Sequence, residues 1–398
     1  MPAGPTRPGD LAFPAGCGKT RSMNDENRTP PENDLPARLR LTRSPAKDPR
    51  RDPRLLDSIA RVAPGTRLRE GIEDVIRSHE GALIVIGDPQ ALSFLYSGGI
   101  PLDMQFSPQL LYELAKMDGA IVVNESVSRL AYANVQLMPD PTILSSETGT
   151  RHRTAERVAK QTTALVIAIS QERETLTLFV GSHRYLLDRI PDVLARANQA
   201  LATLDAYQRR LDQQLARLTS LELRGSVMLE EVLGVVQRAE MSTRVAYEIE
   251  RDCVELGSAG RLIKLQLEEL IGELPNEKRA LVHDYHAVGG AEAEEALERL
   301  SRLSFAELLE SEYLLQLLSY PRRVNPLDHR VEPRGYRVLS HVPRLPNAAA
   351  RRIVSAFGGL DAIMEASDQQ LQAVEGIGQR RVREIKDGLR RLRELDLG

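Results

Sequence analysis

The period of the apolar positions changes twice along the 398-residue chain, and each change marks a change of architecture. Within 51–190, short apolar runs at 82–86, 92–96, 120–123, 130–137, 164–169 and 175–180 predict strands. Thr175-Leu176-Thr177-Leu178 alternates with period two, as a half-buried strand does. Segments 110–117 and 155–162 carry helical spacing. Strands interleaved with helices predict an α/β domain over 51–190, a mixed sheet flanked by helices.

Strand signals end at about 191. Leu194, Ala197, Leu201, Leu204, Leu211, Leu215 and Leu218 recur at intervals of three, four and seven, a heptad-like seam broken where Gln208 falls on its line. Helical patterning continues from Val227 to Ile271, interrupted by Gly257 and Gly260, and 268–298 is acidic. An all-α spacer is expected over 191–335, its seam packed within its own bundle. Pro321, Pro326 and Pro333 mark a linker at its end. A second all-α domain is expected over 336–398. It holds a helix at 348–357 ended by Gly358-Gly359, another at 360–366, and a pair at 368–374 and 379–392 joined by Glu375-Gly376-Ile377-Gly378.

Composition narrows the classes open to such a chain. Cys17 and Cys253 cannot build a disulfide framework or a four-thiolate zinc site, so a reducing, cytoplasmic compartment is expected. No apolar run approaches the roughly 20 residues that span a bilayer, so no membrane partner is expected. The net charge of −3 argues against a generally basic surface but leaves room for a local basic patch. With no Trp and 4% aromatic residues, recognition of single strands by stacked bases is not expected. Residues 1–50 hold nine of the 23 prolines without a periodic pattern, which predicts a disordered Pro/Arg-rich extension. Gly16-Cys17-Gly18-Lys19-Thr20 inside it resembles the end of a P-loop. However, Phe13 stands where that motif needs glycine, and neither a strand nor a helix flanks it.

Two stretches of the first domain carry phosphate chemistry. Asp118 sits at a helix-to-strand turn beside Gly119, whose missing Cβ lets a ligand approach the backbone. Asp-Gly is equally an ordinary turn dipeptide. The other stretch, Glu147-Thr148-Gly149-Thr150-Arg151-His152-Arg153-Thr154, runs into the helix expected from 155. A helix start offers unpaired N–H groups and the positive end of a dipole. Cations in a first turn oppose that dipole, and an anion bound there explains them. Thr148 or Thr150 is the expected cap, and Arg151 and Arg153 suit bidentate contact with phosphate oxygens. The competing reading is a solvated basic run in an arginine-rich chain.

Together, 111–120 and 147–170 resemble the diadenylate cyclase domain of the bacterial DNA-integrity scanning family, DisA. Asp118-Gly119-Ala120 and Arg151-His152-Arg153 match the two signature motifs of that family, and Asn134-Val135-Gln136-Leu137-Met138-Pro139-Asp140 fits between them. The resemblance runs from about 54 to the last residue in the same domain order. It implies condensation of two ATP into cyclic 3′,5′-di-AMP with release of two diphosphates. The ATP-binding positions it implies are Gly119, Leu137, Thr150, Arg151, His152, Arg153 and Thr154. Attack of a ribose 3′-OH on an α-phosphate spreads charge over phosphoryl oxygens, so positioned cations and a divalent metal, Mg²⁺ or Mn²⁺, are expected. Asp118 is the expected metal or 3′-OH contact, with proton acceptance second. Arg151 and Arg153 are expected on the triphosphate, His152 on a phosphate or the metal, and Leu137 beside adenine. One copy of each motif per chain requires two protomers face to face, and the resemblance implies a homo-octamer.

At the other end, Val374-Glu375-Gly376-Ile377-Gly378-Gln379-Arg380-Arg381-Val382 resembles a helix-hairpin-helix, a general nucleic-acid-binding module. Backbone N–H groups of Gly376, Ile377 and Gly378 are expected to meet a phosphate, with Arg380 and Arg381 adding charge. An earlier copy at Leu345-Pro346-Asn347-Ala348-Ala349 lacks both glycines. Backbone contact carries no base information, so duplex or branched DNA is the expected partner, with binding that weakens with salt. The resemblance narrows this to branched DNA and implies a nucleoid-associated protein whose cyclase output falls on binding. The alternative is a non-enzymatic DNA-binding scaffold with a nucleotide-binding regulatory domain; Asp118-Gly119 and Arg151-His152-Arg153 favour the enzyme. His283-Asp284-Tyr285-His286 reads as a surface helix, since two histidines three apart have no further metal ligands evident nearby.

Overall fold

The computed structural model describes residues 52–396; the proline-rich stretch 1–50, including Gly16-Cys17-Gly18-Lys19-Thr20, lies outside the described residues. Helices α1 (Pro53–Arg61) and α2 (Arg67–Arg77) lead into β1 (Ala82–Ile86), β2 (Tyr96–Ser97) and β3 (Ile100–Gln105). Then come α3 (Pro108–Ala115), β4 (Ala120–Val123), β5 (Arg129–Leu137), α4 (Thr150–Gln161), β6 (Leu165–Ser170), β7 (Thr175–Val180) and β8 (His183–Leu186). The strands form one sheet in the order β2-β5-β4-β1-β6-β7-β8, with β3 also paired to β5. Only β1 and β4 run parallel, so the sheet is mixed.

Both faces of the sheet are covered. Ala82, Ile84 and Ile86 pack with Leu55, Ile59, Ile72 and Val75 of α1 and α2 and with Leu111 and Leu114 of α3. Leu83 and Val85 pack on the other face with Ala155, Val158 and Ala159 of α4. Burial on both sides is why β1, β4 and the body of β6 are unbroken apolar runs rather than alternating ones.

Three local expectations are corrected. Segment 92–96 is not a strand: Ser93–Leu95 is a 3₁₀ turn, and only Tyr96–Ser97 pairs with β5. Its buried residues, Leu92 and Leu95, lie three apart, which suits a 3₁₀ turn and not a pleat. The helix expected from 155 begins five residues earlier, at Thr150. The 283–286 stretch is no surface helix, because Asp284, Tyr285 and His286 are only 1–2% exposed.

After the sheet the chain is helical. α5 (Ile190–Leu223) and α6 (Leu229–Leu256) form a long antiparallel pair, followed by a 3₁₀ turn and α7 (Arg261–Ile271). Ala197, Leu201, Leu204, Leu211 and Leu218 of the seam are buried, and α5 packs along α6 in the same chain. Gln208, which breaks the seam, keeps a buried Oε1 without a hydrogen-bond partner. α8 (Leu274–Tyr285), α9 (Ala291–Arg302), α10 (Phe305–Leu309) and α11 (Ser311–Leu317) fill one side. The last domain comprises α12 (Tyr336–Ser340), α13 (Asn347–Phe357), α14 (Leu360–Glu365), α15 (Asp368–Gln372) and α16 (Gln379–Asp396). The proline-marked linker is irregular but pinned, since His329 O accepts from Leu229 N and Val331 N donates to Val227 O.

A buried polar joint fastens the last domain to the spine. Asp284 at the end of α8 accepts N–H bonds from Gly335, Tyr336 and Arg337 at 2.7–2.8 Å and so holds the start of α12. Burial, with Glu222 nearby, pushes its carboxyl up to about 7 against the pull of those donors. Arg337 of α12 reaches back to both carboxylate oxygens of Glu222 on α5 and to Thr219 Oγ1 at 2.8 Å. Tyr285 Oη donates to the same Glu222 at 2.7 Å. The Arg337 and Glu222 side chains are 1% and 0% exposed. Arg337→Met strips Glu222 of its cation while leaving it buried. We expect a loss of about 3–5 kcal/mol in unfolding free energy, measured by urea denaturation. A loss under about 1 kcal/mol, the scale of an exposed pair, refutes the joint.

Candidate active site and nucleic-acid interface

The parallel pairing of β1 with β4 creates the first site. Leu83 lies opposite Ala120, so the chain entering β1 at Gly81 runs beside the chain entering β4 at Asp118-Gly119. Gly119 has φ +106°, and a Cβ on it would lie 2.8 Å from the carbonyl carbon and Oδ1 of Asn134. Asn134 itself has φ +53°, at the point where β5 slips register against β4. Two tightly apposed backbones thus leave Asp118 exposed at the entry end of the interior strand β4, without a hydrogen bond or ion pair to another described residue. Leu137 closes β5, but its side chain belongs to the α4-side core, so it offers a ligand chiefly its backbone.

The second signature motif forms the first turn of α4. Gly149 is the N-cap and makes no side-chain cap bond, so neither Thr148 nor Thr150 caps the helix. The cause is register: Thr150 is already the first helical residue, and Thr148 lies one residue too early. The first intrahelical bond runs from Arg153 N to Gly149 O at 2.9 Å, which leaves the N–H groups of Thr150, Arg151 and His152 ahead of it. The Arg151 guanidinium rests over Gly81, in space that a side chain there would fill, and so reaches the end of the sheet where Asp118 sits. His152 packs edge-on against Phe179 of β7, ring centroids 6.2 Å apart. Burial holds its pKa below the ordinary histidine value; Glu147 pulls upward, and Arg184 and Arg151 add to the lowering. Thr150 is exposed and Thr154 half-buried on the same turn. Arg153 points elsewhere, donating to the carbonyls of Glu147 and Thr148 at 3.3 and 3.1 Å.

Arg153 is one of several α4 side chains that hold the preceding loop. Arg157 donates to Ile143 O at 2.9 Å, Lys160 to Leu144 O at 2.8 Å, and Gln161 Oε1 accepts from Asp140 N at 3.0 Å. Glu156 is the centre of this clamp. It is buried and accepts from Ser145 Oγ at 2.5 Å, Ser146 N at 3.0 Å and Lys160 Nζ at 2.7 Å. Burial works to raise its carboxyl, but the Lys160 and Ser145 bonds prevail and keep it below the usual range. The motif reading missed Glu156. Its only trace in the sequence is the four-residue spacing to Lys160.

At the far end, the hairpin between α15 and α16 takes the expected form. Gly376 has φ +78°, Ile377 is 3% exposed within the domain core, and Ile377 N donates to Val374 O at 3.0 Å. Gly378 differs: no atom lies within 4 Å of where its Cβ would stand. Arg380 pairs with Glu384 at 3.1 Å, and Arg381 Nη1 donates to Gly376 O.

Comparisons with known proteins agree with this division of labour. Residues 69–184 match the family described as DisA bacterial checkpoint controller nucleotide-binding, and 187–327 match the linker region of the same controller. Residues 336–391 match the SAM-like helix-hairpin-helix tandem. The DNA integrity scanning protein DisA of Carboxydothermus hydrogenoformans is 49% identical over 345 residues, 86% of this chain and 98% of that protein. The protein of that name from Bacillus pumilus is 48% identical over 340 residues, 85% and 94% of the two chains. The one from Frankia alni is 45% identical over 339 residues, again 85% and 94%.

Glu156→Gln weakens the clamp by replacing a charge-assisted acceptor with an amide. Cleavage after Glu147 by a glutamate-specific protease should accelerate severalfold, with the pattern elsewhere unchanged apart from the site lost at 156. An unchanged rate at Glu147 means the loop is held without Glu156.

Proposed function

The chain belongs to the DNA integrity scanning protein DisA family, and from that premise we propose how its residues perform the work. It is a diadenylate cyclase: it condenses two ATP into cyclic di-AMP with release of two diphosphates, and it joins that activity to DNA-integrity scanning. The observation that carries the residue assignment is the meeting of Asp118-Gly119 and the α4 N-terminus at one end of the sheet, bridged by Arg151 over Gly81.

The triphosphate lies at that helix start. The N–H groups of Thr150, Arg151 and His152 donate to phosphate oxygens, and the Arg151 guanidinium supplies charge where the α-phosphate is attacked. His152, half-buried with its pKa held below the ordinary histidine value, donates a ring N–H. Arg153 and Glu156 shape the loop that walls the site, and Thr154 lines the next turn. Gly119 lets ribose approach the backbone, while Asp118 orients the 3′-OH and, second, takes its proton.

Cyclisation in this family depends on a divalent cation. Among the described residues no three His, Cys, Asp or Glu side chains are grouped to hold a metal. One free carboxylate plus nucleotide phosphates is nonetheless a usual Mg²⁺ donor set, and Asp118 fits that part. We therefore assign Mg²⁺, with Mn²⁺ as substitute, arriving with ATP, and Asp118 as the residue that would hold it. The ion supplies neutralisation of phosphate charge.

Symmetric ligation of two ATP places two such sites face to face. Exposed Phe94, Met138 and Leu144, at 64%, 59% and 86%, suit the apolar part of that isologous contact. A homo-octamer extends it. The cyclase unit spans 51–190, the spine 191–335 and the DNA-binding domain 336–398. No helix among the described residues is long and apolar enough to cross a membrane, and we place the protein in the cytoplasm with the nucleoid. Branched DNA is the preferred ligand, held through Gly376, Ile377, Gly378, Arg380 and Arg381. Among the described residues nothing requires glycine at 378, which supports an external reason for it.

Incubation of the protein with ATP and Mg²⁺, followed by chromatography and mass analysis, should yield cyclic di-AMP. Asp118→Asn should lower product at least about a hundredfold, the scale of a lost acid–base or positioning group, while ATP still binds. Turnover equal to wild type removes Asp118 from the site. Gly376→Ala with Gly378→Ala should weaken junction binding in an electrophoretic shift without reducing basal cyclase activity. Equal affinity in that variant removes the hairpin from the interface.

A further inference from the structure

The first half of the tandem lacks both hairpin glycines, yet its helix reaches the second hairpin. A Cβ built on Gly376 would stand 2.8 Å from Nη2 and 3.4 Å from Cζ of Arg352. The Arg352 guanidinium, carried by α13, thus lies directly against the Cα of Gly376. Arg381 reaches the same glycine, its Nη1 donating to the carbonyl. Two positive groups therefore converge on one backbone residue at an exposed turn. Neither pairs with a carboxylate among the described residues, whereas Arg380 is matched by Glu384 at 3.1 Å and Lys386 by Asp368 at 2.5 Å. Unneutralised like charges at such separation repel, and an anion bound between them removes the repulsion.

Packing does not explain Arg352. The buried residues of α13 are Ala349, Ala350, Ile353 and Val354, and Arg352 lies on the exposed face. The turn meanwhile keeps a bare surface beside it, for Gly376 needs glycine both for its φ of +78° and for the room Arg352 occupies.

We propose that Arg352 completes the phosphate site of the second hairpin, so that the two half-motifs bind one DNA phosphate together. The glycine turn and the start of α16 supply N–H groups, and the glycine-less half supplies the cation. This deepens the DNA-binding reading and rests on it. The contact is to the sugar-phosphate backbone and favours no base.

The test uses the full chain, fluorescently labelled duplex and four-way-junction DNA, and anisotropy over a salt series. Arg352→Ala should weaken binding about threefold to tenfold at low salt, and the log–log salt slope should fall by about one for each engaged protomer. Arg352→Lys should keep the wild-type slope. Arg351→Ala, a neighbouring arginine without a described contact to the hairpin, should leave affinity and slope unchanged. Combined with Gly376→Ala, which displaces the guanidinium, Arg352→Ala should add little further loss. Wild-type affinity in Arg352→Ala overturns the proposal, and so does reduced affinity with an unchanged slope, because a merely structural role gives that result. If the wild-type chain binds neither DNA, the DNA-binding reading itself is what fails.

Discussion

The buried ion pair between Arg337 and Glu222 fixes where the DNA-binding domain stands. Ion pairs of this burial contribute little net stability, since desolvation offsets much of their attraction. Their value is geometric: two forks meet in one arrangement, where an apolar contact would tolerate sliding. The opposite end of α5–α6 is closed in the same manner. Glu255 of α6 accepts from Tyr185 Oη at 2.7 Å and from Asp188 N at 3.1 Å, and Arg196 pairs with Asp252 at 3.0 Å and Asp188 at 2.7 Å. The helix pair is therefore a strut with a polar lock at each end. With 34 residues, α5 is about 50 Å long. Among the described residues, the cyclase domain and the last domain are joined through this strut and the helices packed on it, such as α8, whose Asp284 holds the start of α12.

How far the sequence discloses this depends on what each residue faces. β1, β4 and β6 were legible because both faces of the sheet are covered and their runs are apolar throughout. β3 left no pattern: Ile100–Gln105 is almost wholly exposed and interrupted by Asp103 at φ +45°. β8 is a four-residue edge strand, too short to show a period. The start of α4 was misplaced because Thr150-Arg151-His152-Arg153 has the composition of a loop, and only the free N–H groups it presents make a helical turn there worthwhile. The two motifs that the structure brings together were easy to find, since Asp118-Gly119 and Arg151-His152-Arg153 are each contiguous in sequence. Glu156, Gly81 and Arg352 were invisible for the opposite reason. Apart from the four-residue step from Glu156 to Lys160, their partners lie ten to seventy residues away, where no spacing rule links them. The 283–286 stretch failed in the same way, because the burial of Asp284 is created by α12, some fifty residues later.

The two proposed phosphate sites, unrelated in fold, converge on one construction. Each has a glycine with positive φ, Gly119 or Gly376, at the turn before a strand or helix. Each has a helix N-terminus whose first N–H groups lie ahead of the first intrahelical bond, Arg153 N to Gly149 O or Val382 N to Gly378 O. Each has an arginine whose guanidinium rests on the Cα of a glycine: Arg151 on Gly81 and Arg352 on Gly376. The recurrence has a physical reason. A phosphate is bound best by several N–H donors on a surface without side chains, with a planar cation held close but not inside the donor ring. Seating the guanidinium over a glycine meets both demands, because the missing Cβ lets the charge come within van der Waals distance of the backbone. A chain of net charge −3 can thus bind two polyanions without a generally basic surface, by concentrating a few arginines at glycines.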